Sequence, residues 1–153
     1  MTTESVTSVV VRRAYLAGRY SRREELLGYA ADLATIGIEV RARWLLGLHQ
    51  YGADADRAQL DLGKDAEMAA RFATEDVDDL LAADMVISFT EEPRKPSTNR
   101  GGRHVEFGMA LLANRWLAVP MRLVVVGHRE NAFHWLPGVE FYPTWSAALE
   151  GLL

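Results

Sequence analysis

Two hydrophobic rhythms alternate along this chain, short apolar runs and stripes at helical spacing. Val9-Val10-Val11 leads through Arg12-Arg13 into Ala14-Tyr15-Leu16-Ala17, a β-forming run that stops at Gly18 and predicts a first strand. Leu26, Leu27, Ala30, Leu33 and Ala34 then recur at helical spacing up to Gly37. Ser21 and Glu24 stand as a capping box at the start of that helix. Residues 38–46 read as a second strand, with Arg41 and Arg43 alternating against Val40, Ala42 and Trp44. Residues 54–83 are helical in pattern, in two pieces broken near Gly63. Met85-Val86-Ile87-Ser88-Phe89 is a third strand of the type buried in a parallel sheet. A helix around Glu106 reaches Asn114, residues 121–126 form a fourth strand, residues 139–142 a short fifth, and Thr144 caps a last helix.

Strands separated by helices predict an α/β fold: one doubly wound, flavodoxin- or Rossmann-like, five-stranded parallel sheet with helices on both faces. The expected order is 2-1-3-4-5, and ligands of such sheets bind beyond the carboxyl ends of the strands where the order reverses. The segments leaving strands one and three, residues 15–23 and 90–106, meet at that point. The second is long for a connection from strand to helix, which usually takes about 2–6 residues, and it ends in Gly101-Gly102-Arg103-His104-Val105-Glu106-Phe107-Gly108-Met109-Ala110. Two glycines open the helix and a carboxylate follows one turn in. Gly108 and Ala110 keep the next turn slim, as suits a carboxylate that a bulky ligand must approach. The helix N-terminus is expected to hold Glu106 ionised by about 0.3–1 kcal/mol; the plainer alternative is a glutamate placed there for the dipole alone.

Composition narrows the classes. At 153 residues and 17.1 kDa the chain is one domain, 1–153. A net charge of −4 argues against binding a nucleic-acid polymer. Cysteine is absent, which removes disulfides, thiol nucleophiles and thiolate metal sites. The polar first eight residues do not read as a signal peptide, and no apolar run approaches the ~20 residues needed to span a bilayer. The expectation is a soluble, cytoplasmic protein. Gly18-Arg19-Tyr20-Ser21-Arg22-Arg23 puts a glycine, a hydroxyl and three arginines at a helix start, suited to a phosphate or carboxylate or, equally, to a solvated helix end. It is neither a P-loop nor Gly-x-Gly-x-x-Gly. His104-Val105-Glu106 has the His-x-Glu form of zinc deaminases but lacks their cysteines, and His49, His128 and His134 have no ligand spacing. No metal and no other cofactor is expected.

Three motifs then stand in order: Tyr15-Leu16-Ala17-Gly18, Asp76 eight positions before the Asp84 of Ala83-Asp84, and Glu106-Phe107-Gly108-Met109-Ala110. With them the chain, over residues 9–126, resembles the nucleoside 2-deoxyribosyltransferase-like family, which includes deoxynucleoside 5′-monophosphate N-glycosidases. The resemblance implies that Glu106 attacks the anomeric carbon of a nucleoside, that Tyr15 orients it, and that Asp76 assists the leaving base. A glycosyl ester would then pass to a second base or to water, as in retaining glycosidases. Six residues before the nucleophile the family's transferases tend to have aspartate and its monophosphate hydrolases serine; here Arg100 stands there. Arginine is a good phosphate partner. With Gly18, Arg19, Ser21, Arg22, Arg23, Gly101 and Gly102 it points to a 5′-phosphorylated substrate. Family sites are completed by a neighbouring subunit, which implies a homodimer or higher homo-oligomer, with Asn131 or His134 of the 127–137 loop as candidates and Trp116, Phe133 and Trp135 as apolar groups for the contact. The alternatives are a nucleotide-sensing module without turnover and a flavodoxin-like carrier, the latter disfavoured because the first loop lacks a hydroxyl-rich run.

Overall fold

The computed structural model describes residues 12–47, 66–92, 101–117 and 120–153. Val9-Val10-Val11, the first part of the helical 54–83 region with its break near Gly63, and Arg100 lie outside them. Strands β1 (Arg12–Ala17), β2 (Ile38–Val40), β3 (Met85–Phe89), β4 (Arg122–Val126) and β5 (Val139–Tyr142) form one sheet. Every pairing is parallel and the order is β2-β1-β3-β4-β5, as the alternating pattern requires. Helices α1 (Arg23–Thr35), α2 (Ala66–Leu81), α3 (Gly102–Trp116) and α4 (Trp145–Leu152) complete the domain. Among the described residues no helix is long and apolar enough to cross a membrane.

The central strands are buried on both sides, which is why β3 is an apolar run rather than an alternation. Side chains still alternate between faces. Leu16 pairs with Ile87, on the face shared with Phe89, where Tyr29 of α1 and Trp145 of α4 stack against one another and against Phe89. Tyr15 pairs with Val86 on the opposite face, beneath α3. The Trp145 indole N–H donates to Asp32 at 2.8 Å and fixes α4 to α1. Thr144 caps α4 by accepting from the Ala147 N–H at 3.2 Å.

Two local expectations are corrected. The second strand stops at Val40, and residues 43–46 coil into a 3₁₀ turn. The reason is competition for polar groups. Asp79 of α2 takes the Arg43 N–H at 2.8 Å, and the Trp44 indole N–H turns inward to the Leu16 carbonyl at 2.9 Å, so the alternating polar positions serve a clamp instead of a strand face. The capping box does not form either. Ser21 sits inside a 3₁₀ turn, Tyr20–Arg22, and α1 starts at Arg23 with Arg22 as a cap residue that makes no side-chain cap bond. The Arg22 N–H bonds Arg19 O at 2.9 Å, tightening the chain before the helix begins.

Candidate active site

The carboxyl ends of β1 and β3 bring Tyr15 and Glu106 together. Tyr15 is fully buried, and its hydroxyl donates to Glu106 Oε1 at 2.7 Å, joining β1 to the second turn of α3 across 91 positions of sequence. Glu106 is partly enclosed, and α2 supplies the second acid: the charge of Asp76 acts on both Glu106 and Tyr15. Burial, reinforced by the neighbouring Asp76, raises the Glu106 carboxyl from an ordinary 4.5 to about 7, while the Tyr15 hydrogen bond opposes the rise. The expectation that the helix terminus holds Glu106 ionised is therefore corrected. Glu106 lies beyond the first turn, where the dipole has faded, and desolvation outweighs what remains. Tyr15 is itself raised well above 10 by burial first and by the charges of Glu106 and Asp76 next. It is a firm hydrogen-bond donor at any neutral pH.

Gly101 gives α3 its entry. It adopts φ +79°, a left-handed conformation that a side chain would strain, and no side chain caps the helix. Among the described residues, a Cβ at Gly101 or Gly102 would meet nothing within 4 Å. Gly108 is equally unobstructed and exposed on α3, so its slimness keeps the outer surface low. Ala110 is wholly buried against the core.

The first loop serves packing more than expected. A Cβ on Gly18 would come within 2.9 Å of Leu26 Cδ2, so this glycine admits α1 close to the sheet. Arg22 is occupied: its guanidinium grips Glu25 through two bonds of 2.7 Å, donates to the Thr90 carbonyl at 3.1 Å and reaches Glu91 at 3.4 Å. Arg23 is turned to the Leu45 carbonyl at 3.1 Å and to Glu24 at 3.3 Å. Arg19 pairs with Glu91 at 3.8 Å. Asn131 caps the short 3₁₀ turn Ala132–Trp135 of its own loop, accepting from the Phe133 N–H at 3.0 Å.

A buried polar cluster joins α3 to the loop after β4, and its Arg103–Glu130 pair carries no sequence signal. Arg103, only 4% exposed, forms an ion pair with Glu130 of the loop after β4. Its Nη1 is buried without a hydrogen-bond partner. His134 is buried, accepts from the Glu130 N–H through Nδ1 at 3.2 Å and stands edge-on to Phe107 at 4.9 Å. Burial lowers the pKa of both His134 and His104, the Glu130 charge opposing in each case. Thr90 braces the same loop: it donates to Val126 O at 3.0 Å and accepts from the His128 N–H. Gly127, at φ +113°, lies so close to Thr90 that a Cβ would approach its Oγ1 to 2.8 Å. Among the described residues no group of three or more His, Asp or Glu side chains could hold a metal ion.

No family model matches the chain, and no curated protein matches it. Among solved structures it is similar to one described as the Clostridium botulinum CMP N-glycosidase, BcmB. The two are 19% identical with a TM-score of 0.48, over 92% of this chain and 98% of that one.

Proposed function

We propose that this protein cleaves the N-glycosidic bond of a nucleoside or nucleoside 5′-monophosphate, with Glu106 as the nucleophile. The observation that carries the reading is the 2.7 Å bond from buried Tyr15 to Glu106 Oε1, in the crevice where parallel sheets of this order bind ligands. Tyr15 fixes the carboxylate and leaves its other oxygen to attack. In the first step that oxygen bonds to the anomeric carbon, the C1′–N bond breaks, and its electron pair leaves with the base. Asp76 assists at the departing base. In the second step water or another base attacks C1′, the ester bond breaks, Glu106 is regenerated as carboxylate, and the attacking group's proton passes to the departed base. The ionised form of Glu106 does the work, so activity should rise with pH through about 7.

Arg22 and Arg23 are engaged with their own glutamates and carbonyls; a 5′-phosphate is assigned to Arg19, which would exchange its Glu91 contact for it, to Arg100 and to the glycine entry of α3. If these hold a 5′-phosphate, charge-assisted hydrogen bonds of about 1.5–3 kcal/mol give the monophosphate at least a roughly tenfold advantage in kcat/KM, eroded by salt. Equal kcat/KM for nucleoside and monophosphate, insensitive to salt, would assign the nucleoside as substrate. For assembly, Trp116, Phe133 and Trp135 are 80%, 61% and 67% exposed, and Val105 and Leu112 continue the Trp116 stripe along α3. These surfaces support a homo-oligomer; an active monomer in light scattering at micromolar concentration excludes one.

The decisive test is a panel of nucleosides and 5′-monophosphates, with and without a free acceptor base. Release of base by the wild type, its loss in Glu106→Gln by several powers of ten, and a glycosyl adduct on Glu106 by mass spectrometry are expected. Turnover undiminished in the variant removes Glu106 from the mechanism.

A further inference from the structure

The clamp that ends β2 points past itself to the second acid of the site. Arg43 donates from its backbone N–H to Asp79 Oδ2 at 2.8 Å and from Nε to both Asp79 oxygens at 3.0 and 3.1 Å. Its Nη2 reaches Asp79 Oδ1 at 3.0 Å and the Glu75 carbonyl at 3.1 Å. The two gripped points bracket Asp76: one is the peptide carbonyl joined to it, the other a carboxylate three positions along the same helix. Asp79 is 8% exposed, so a surface arginine grips a buried carboxylate. The far side of the bracket is equally fixed. Trp44 donates to the carbonyl of Leu16, the residue after Tyr15, and the Leu45 carbonyl receives Arg23 of α1. One 3₁₀ turn thus ties the strand that carries Tyr15 to the helix that carries Asp76.

We infer that Arg43 is a positioning residue for the candidate site: it sets the rotation and depth of α2, and with them the placement of Asp76 opposite Glu106. The physical case rests on which bonds are redundant. The lower turns of α2 are exposed on several positions, whereas around Asp76 the helix is held by a guanidinium that contacts two of its residues at once. A planar five-donor fork can make that double contact; an ammonium cannot reproduce it. The inference rests on the proposed function for its catalytic meaning but not for its structural test.

That test is the titration of the Glu106 carboxyl, followed by NMR in ¹³C-glutamate-labelled protein. The ionisable groups acting on Glu106 are Tyr15 from β1 and Asp76 from α2. Four proteins are compared: wild type, Arg43→Ala, Asp76→Asn, and the double variant. The sign separates the explanations. Removing a cation and exposing the Asp79 charge would raise the Glu106 midpoint by simple electrostatics. Letting Asp76 drift away lowers it. The expected result is a midpoint lowered by about half a pH unit or more in Arg43→Ala, in the same direction as Asp76→Asn, with no further lowering in the double variant. A midpoint unmoved or raised in Arg43→Ala overturns the inference, as does equal lowering in the Asp76→Asn background. Arg43→Gln, which like alanine keeps the backbone N–H bond to Asp79 but also retains a neutral side-chain donor, serves if the alanine variant fails to fold. Turnover is measured on the same proteins, where kcat should fall at least about tenfold with KM changed little, and Arg43→Lys should restore less than half of the loss. A wild type that cleaves nothing on the panel refutes the proposed function while leaving the midpoint comparison to decide the placement.

Discussion

Replacing Glu106 by Gln should stabilise the folded protein increasingly as pH rises above about 4.5, with the gain complete above about 7. Glutamine keeps the oxygen that accepts from Tyr15 but carries no charge to be buried or to repel Asp76. The wild-type carboxyl ionises near 4.5 when ordinary and solvated and at about 7 in the fold. Between those values the native state holds a proton that the unfolded chain has released, so the stability contributed by the neutral acid is present below 4.5 and is lost as pH rises to about 7. A gap of about 2.5 pH units at about 1.36 kcal/mol per unit gives a ceiling of about 3 kcal/mol. Residual exposure of Glu106 to solvent reduces this to roughly 1–3 kcal/mol. For a domain of this length that corresponds to a rise in Tm of several degrees, at about 2–4 °C per kcal/mol. Urea unfolding of both proteins at pH 4.5 and pH 8.5 reads it without any substrate. The variant should match the wild type at the lower pH and exceed it at the higher. A difference that is absent at pH 8.5, or equal at the two pH values, refutes the argument that Glu106 is a strained, desolvated acid.

Tyr15→Phe removes the hydrogen bond that holds the Glu106 pKa down, so the acid limb of kcat/KM should move up from about 7 by roughly 1–2 pH units; a loss of activity that is uniform across pH would assign Tyr15 a packing role instead. Glu130→Ala leaves the buried Arg103 uncompensated and should cost about 3–5 kcal/mol in chemical denaturation, whereas a change below 1 kcal/mol would mean the pair is solvated. Gly18→Ala forces a methyl against Leu26 and should destabilise by about 1–3 kcal/mol; if stability is kept and only substrate affinity falls, the glycine serves ligand approach.

The strands β3 and β4 and the strand order are legible because burial between helix layers demands an apolar run, and that demand is local. The segments that carry Tyr15 and Glu106 could be brought to one crevice in advance because the switch point of a known order joins the ends of β1 and β3, while the pairing of the two side chains is legible only through the family resemblance. The misreadings have one physical origin. Arg43, Arg22 and Arg103 look alike in a sequence, yet each is committed by a partner at another place in the chain: Asp79 at 36 positions, the Thr90 carbonyl at 68, Glu130 at 27. Alternation over residues 38–46 therefore resembles a strand until Asp79 is in place. Likewise the charge state of Glu106 depends on how deeply α3 seats it, which no motif encodes.

The indole of Trp44 also gives the molecule an internal optical gauge. Of the four tryptophans, Trp116 and Trp135 are largely exposed and open to aqueous quenchers, while Trp44 is 5% exposed and bonded to the carbonyl that follows Tyr15. Under acrylamide or iodide the emission that survives comes chiefly from the protected rings. A molecule entering beside Tyr15 disturbs that strand end, and with it the Trp44 signal, so crevice occupancy becomes measurable by intrinsic fluorescence before any reaction product is identified.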